Sequence, residues 1–121
     1  MNVLILTDDS NSSTVKIVSK TKFLPLVCNT VLSSSDLIKH HSIDALIIDK
    51  IHRNADSLEF ILNARELDCK AAIFVIKSTA NENSITEIER NNLNVNVIEE
   101  DNLLKKLTAH KTKLKNLSKN V

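Results

Sequence analysis

The chain has 121 residues, 42% hydrophobic and 26% charged, enough to bury a core as one domain without a metal or disulfide staple. It contains no glycine, tryptophan or tyrosine and only three phenylalanines, which excludes a Gly-rich phosphate loop or dinucleotide fingerprint and removes the aromatic platform of single-strand nucleic-acid binders. The formal charge of +1 is uneven, because residues 102–121 hold six lysines and no acid while residues 1–101 carry ten basic and fifteen acidic side chains.

No apolar run approaches the roughly 18 residues of a membrane span, and no basic segment precedes the first apolar run. The expectation is a cytoplasmic protein without membrane attachment. Cys28 and Cys69 form no CxxC pair and read as reduced packing thiols.

Along the chain the hydrophobic period alternates between strand and helix. Residues 2–7 (NVLILT) are a short β-branched run of strand length. Residues 12–23 open with serines suited to a helix N-cap and carry Val15 and Val18 at helical spacing. Residues 25–32 (PLVCNTVL) read as a second strand, with Pro25 at its start where no ladder donor is lost. Residues 33–41 form a short capped helix, and residues 44–49 (DALIID) a third strand.

Residues 56–67 (DSLEFILNAREL) carry the clearest helix signal. Asp56 and Glu59 make a capping-box pattern, and Leu58, Ile61, Leu62 and Arg65 follow one face. Residues 71–76 (AAIFVI) are a fourth strand and residues 83–92 a polar helix resting on Ile85 and Ile88. Residues 94–98 (NVNVI) alternate as a fifth strand. A last helix from Asp101 places Leu103, Leu107, His110, Leu114 and Leu117 on one stripe.

This βαβαβαβαβα order implies an α/β protein: a parallel sheet covered on both faces by helical crossovers. Right-handed crossovers at this length favour a doubly wound (βα)5 three-layer sandwich with strand order 2-1-3-4-5. Ligands of such sheets bind beyond the carboxyl ends of the strands, near the switch point between strands 1 and 3. Asp8 and Asp9 follow strand 1 and Asp49 ends strand 3. Three carboxylates meeting there would repel one another, and Mg²⁺ is a natural complement: it takes oxygen ligands, needs one or two protein carboxylates and keeps its waters. The bland alternative is a solvated strand end, with Asp8-Asp9 capping the first helix.

Over nearly its whole length the chain resembles the receiver domain of bacterial two-component response regulators, the flavodoxin-like fold of the chemotaxis regulators. Asp8-Asp9 match that family's acidic pair, and DALIID matches the strand whose last residue is phosphorylated. The resemblance implies that Asp8 and Asp9 hold Mg²⁺ and that Asp49 binds it and accepts phosphate. It also implies a sensor histidine kinase or other signalling protein as partner, and homodimerisation through the face of helix 4, strand 5 and helix 5. Catalysis would not exceed autophosphorylation and slow dephosphorylation.

The chain departs from that pattern at three places. The Thr or Ser expected after strand 4 falls on Lys77 or Ser78, which are the candidate phosphate contacts. The Lys-Pro expected after strand 5 falls on Glu99-Glu100, with Glu99 in the lysine's place. Residues 50–57 (KIHRNADS) hold no proline beyond the phospho-acceptor. A unit charge pair at about 5 Å and an effective dielectric of about 20 is worth roughly 3 kcal/mol. Exchanging lysine for glutamate therefore opposes a phosphorylated state by up to twice that, less solvent screening and any outward rotation of Glu99. Lys77 turned inward would restore part of the charge.

Three readings follow: a divergent receiver with weakened or lost phosphorylation, a phosphate-independent interaction module on the same fold, or a small Mg²⁺-dependent phosphohydrolase with Asp49 as nucleophile. The last lacks a legible general acid and a DxD spacing. His40 and His41 are adjacent on a short helix and cannot share a ligating face. The basic segment 102–119 is a solvated helix face or the lead into an effector domain. It has charge but no reading element for nucleic acid.

Overall fold

The computed structural model describes residues 1–50, 52, 56–78, 82–91 and 94–119, the side chains of 84 and 116–119 excepted. Five strands, β1 (Asn2–Leu6), β2 (Leu24–Cys28), β3 (Ala45–Ile48), β4 (Ala72–Ile76) and β5 (Asn96–Ile98), alternate with five helices. These are α1 (Ser13–Ser19), α2 (Val31–His40), α3 (Ser57–Glu66), α4 (Glu82–Arg90) and α5 (Leu103–Lys119), the last entered through a 3-10 turn at Glu100–Asn102. The sheet is parallel throughout, in the expected order β2-β1-β3-β4-β5.

Successive side chains of a strand point to opposite faces, and here both faces are buried. Leu4, Leu6, Leu46, Ile48, Ile73 and Val75 pack with Phe60, Ile61, Ala64, Ile85 and Ile88 of α3 and α4. Val3, Ile5, Ala45, Ile47, Phe74 and Ile76 pack with Val15, Val18, Leu103 and Leu107 of α1 and α5. That two-sided burial is why the central strands read as unbroken apolar runs.

Local chemistry sets several boundaries away from the sequence expectation. Helix α1 ends at Ser19 rather than 23, because Thr21 turns back to bond the Val18 carbonyl and accepts from the Phe23 amide, dropping Phe23 into the core. Val31 and Leu32 belong to α2 and not to the second strand. Thr30 is the N-cap, its hydroxyl accepting from the Ser33 amide at 3.0 Å. In α3 the cap on Asp56 is as expected, with the Glu59 amide 3.0 Å from its carboxylate. The buried face is Ser57, Phe60, Ile61 and Ala64, however, and Leu62 is 44% exposed.

Arg65 also differs from its expected place on the apolar face: its guanidinium donates to the carbonyls of Cys69 and Ala71 at 2.7 and 3.1 Å. On α5, Leu103 and Leu107 are fully buried and His110 is half-buried, its Nε2–H donating to the Asp44 carbonyl at 2.9 Å. Leu117's side chain, Asn92 of the expected fourth helix, and Ile51 and Arg53 of the loop after β3 lie outside the described residues.

Among the described residues, two have positive φ, Asp68 at 60° and Asn94 at 53°. Asp68 closes α3. The Cys69 amide reaches the Ala64 carbonyl at 3.0 Å and the Asp68 amide reaches that of Arg65 at 3.0 Å, the paired bonds of a Schellman ending that glycine usually supplies.

Candidate functional site

The carboxyl ends of β1 and β3 meet as the topology requires, and Asp49 lies there fully buried. Its amide continues the ladder to the Leu6 carbonyl at 3.0 Å, which fixes the side chain between β1 and the start of α1. Three donors converge on its carboxylate. Thr7 Oγ1 donates to Oδ2 at 2.8 Å, Thr14 Oγ1 to Oδ1 at 2.8 Å, and the Lys50 amide to Oδ1 at 2.8 Å. Thr7 and Thr14 are themselves buried, at 1% and 0% exposed. A buried carboxylate is costly unless hydrogen-bonded, and here its two oxygens are satisfied from within the chain.

Glu100 stands on the outer side of this shell. Its Oε1 accepts a hydrogen bond from Ser13 and lies 3.4 Å from Thr14 Oγ1. Because Thr14 has one proton and gives it to Asp49 over the shorter path, the threonine separates two carboxylates. Lys50 Nζ pairs with Glu100 Oε2 at 3.3 Å. The Ser13 hydroxyl, more than the Lys50 ammonium, holds Glu100 below the usual carboxylate range against the opposing effect of burial.

His52 ties down the chain beyond Asp49. Its Nδ1–H donates to the Asp49 carbonyl at 2.6 Å, and its Nε2 bonds the buried Ser57 hydroxyl at 2.7 Å. The carbonyl of the central aspartate and the first residue of α3 thus share one imidazole.

The acidic pair is placed differently. The exposed Asp9 directs its carboxylate into its own loop, accepting from the Asn11 amide at 2.9 Å, while its amide donates to Thr7 Oγ1 at 3.2 Å. Asp8 is half-buried and lines, with Asn29 and Ser33, a cleft between the ends of β1 and β2. Among the described residues no three His, Cys, Asp or Glu side chains gather into a metal-binding group. In this arrangement both Asp49 oxygens face hydroxyl protons, and the Asp9 carboxylate bonds within its own loop.

The strand 4 and strand 5 positions are resolved as well. Lys77 is exposed and its Nζ lies 4.0 Å from the exposed Glu99 Oε1. Its amide bonds the Ile98 carbonyl at 2.9 Å. Ser78, half-buried, shares a groove with Lys77, Glu82, Ile85, Thr86 and Glu99. Neither Lys77 nor Glu99 reaches Asp49 by any described contact. Glu99, the expected intruder, is the outward-facing residue, and Glu100 one position later is the one joined to the Asp49 shell. The signal for this was available in the alternation beyond the buried Ile98. Thr7 and Thr14 had no such signal, since a threonine at a strand end or helix start is ordinary cap material.

No family model matches the sequence, and no curated protein matches it. Solved structures do. The chain superimposes on the CheY-like receiver domain of a response regulator from Methanospirillum hungatei with a TM-score of 0.72 and 17% identity, covering 99% of this chain and 98% of that one. For the receiver domain of NtrC4 from Aquifex aeolicus the values are 0.72 and 17%, over 90% and 94%. The N-terminal domain of an uncharacterized protein from Wolinella succinogenes gives 0.76 and 19%, over 96% and 98%. The chain therefore has the flavodoxin-like fold of response-regulator receiver domains. Among the described residues no helix is long and apolar enough to cross a membrane.

Proposed function

We propose that this chain is a receiver-fold signalling module that works without phosphorylation, a single domain over residues 1–121 that engages partner proteins in one built-in conformation. The observation that carries this reading is the state of Asp49: fully buried, with Thr7 and Thr14 hydroxyls on its two oxygens. An attacking carboxylate needs an open oxygen and a cation to neutralise the incoming phosphate. Here a phosphoryl group would displace a threonine hydroxyl and meet the Glu100 carboxylate beyond it. At about 5 Å and an effective dielectric of about 20, that repulsion is roughly 3 kcal/mol per unit charge, which Lys50 offsets only in part because it already pairs with Glu100.

The face of α4, β5 and α5 is the natural surface for such a module. It carries the exposed Lys77–Glu99 pair and the groove around Ser78, and its partner would be a sensor kinase, another signalling protein or a second copy of the chain. The basic stretch 102–119 is α5 itself, one side of that face, and suits a connection to an effector segment. Enzymatic turnover is not part of this reading, since no described residue stands beside the Asp49 carboxylate in the role of a general acid.

The test is incubation with Mg²⁺ and acetyl phosphate followed by intact mass. The expected result is no acid-stable, base-labile adduct, and an oligomeric state by light scattering that is the same for the native chain and Asp49→Asn. An adduct present in the native chain and lost in Asp49→Asn would overturn the proposal and restore the phosphorylated receiver. Steady release of phosphate from a model ester, lost in the same variant, would replace it with a phosphohydrolase.

A further inference from the structure

A cavity of about 520 Å³ opens at the opposite edge of the sheet, where β4 and β5 begin. Its walls come from the end of α3, the start of β4 and one face of α5, so it shares no residue with the Asp49 shell. Its volume lies in the range of small-molecule sites, ~300–1,000 Å³. The charge of its lining is the notable feature. Arg65, Lys70, Lys106 and Lys113 surround it with His110 between the last two, and no carboxylate is among the described lining residues. That inverts the charge of residues 1–101, which are net acidic.

We infer that this cavity binds a small ligand bearing a polyphosphate chain. The extended anion follows from spacing. Lys106 and Lys113 are seven residues apart on one face of α5 and so about 10 Å apart along the axis, with Lys70 entering from the loop before β4 and Arg65 from α3. Helix positions that far apart suit a chain of two or three phosphates better than a single orthophosphate. Two of the side chains around the cavity, Arg65 and His110, are also held in place. Two of the Arg65 N–H groups are committed to the carbonyls of Cys69 and Ala71, and His110 is fixed to the Asp44 carbonyl and stands edge-on to Phe74 with ring centroids 6.1 Å apart. The nearby Asp44 carboxylate is occupied by the Asn2 amide at 2.9 Å.

One wall is polar and uncharged. Asn94 lines it in a left-handed conformation, and Asn96 is pinned by its amide nitrogen to the Ile73 carbonyl at 3.2 Å. A pinned Asn96 has its side-chain oxygen as an acceptor for hydroxyl or amino groups, which would suit the nucleoside end of a nucleotide. Phe74 is 4% exposed, too covered to stack a base, so recognition would rest on charge and hydrogen bonds.

The experiment is calorimetric titration of the full chain at low salt with sodium tripolyphosphate and, separately, with ATP, without added Mg²⁺. The expected result is saturable one-to-one binding of at least one, weakened tenfold or more in Lys106→Glu/Lys113→Glu and unchanged in Lys16→Glu/Lys39→Glu, which alters net charge equally at exposed lysines outside the cavity. Circular dichroism of both variants confirms the fold. Tighter binding of ATP, with the preference abolished in Asn96→Ala, identifies a nucleotide, and equal binding identifies the bare polyphosphate. Absence of saturable binding, equal loss in both double variants, or tighter binding of a poly-glutamate peptide than of either probe would overturn the inference. Asp49→Asn should leave the affinity unchanged, so the outcome is independent of how Asp49 behaves.

Discussion

The Thr14 hydroxyl donates to Asp49 Oδ1 at 2.8 Å across 35 residues of sequence, with both side chains fully buried. It joins the first turn of α1 to the end of β3.

Replacing Thr14 by valine keeps the volume and removes the donor. Hydrogen bonds to charged groups contribute about 1.5–3 kcal/mol, and the loss would appear as a lower urea midpoint at unchanged m-value. Thr14→Ser retains the hydroxyl and should recover most of the stability. A loss in Thr14→Ser with none in Thr14→Val would mean that packing of the methyl group, not the bond to Asp49, is what Thr14 supplies.

Glu100 makes stability depend on acid. Its folded-state pKa is lowered from 4.5, chiefly by the Ser13 hydroxyl with Lys50 assisting. A lowered folded pKa means that the unfolded state takes up the proton first. The contribution is therefore complete above the unfolded value and declines as pH falls through the folded one. Urea midpoints of the native chain and Glu100→Gln should differ at pH 6–7 and converge as pH falls well below 4.5.

The thiols should separate cleanly under alkylation. Burial pushes Cys28 up to about 12, so its thiolate fraction at pH 8 is about one in ten thousand, and at 5% exposure it is also shielded. Cys69 is half-buried. Iodoacetamide followed by peptide mass mapping should modify Cys69 in the folded chain and Cys28 only after denaturation.

The phase of α3 can be tested by a pair of substitutions. Phe60 is fully buried and Leu62 is 44% exposed. Phe60→Ala should cost about 3–5 kcal/mol, while Leu62→Glu should stay within about 0.5 kcal/mol as a surface change. The reverse order would restore the apolar face expected from spacing alone.

The sheet order and the helix-strand alternation were legible because the central strands are buried on both faces and show it as unbroken runs of Val, Ile and Leu. Boundaries were less so where a side chain outcompeted the pattern. Val31-Leu32 looks like strand continuation until Thr30 is recognised as a cap, and Leu62 satisfies helical spacing as well as Phe60 does. Of the site, the meeting of Asp49 with the end of β1 follows from topology. The shell does not. Thr7 and Thr14 lie 42 and 35 positions from Asp49, and no local period reports a partner that far away. Glu99 and Glu100 differ only by which follows the buried Ile98 onto the inner side, a one-residue shift that reverses the role of each.

The Schellman ending at Asp68 has a consequence for the unfolded chain. With no glycine anywhere in the sequence, every residue carries a Cβ, and the left-handed positions at Asp68 and Asn94 fall to the side chains that tolerate them best. Each retains some local strain in the native state. In exchange, the denatured ensemble has no point of free rotation, so less backbone entropy is surrendered on folding at each turn than a glycine would surrender. Asp68→Gly would relieve the strain and enlarge that ensemble together, so much of one effect should cancel the other. The chain thus derives part of its stability from the narrowness of what it leaves behind when it folds.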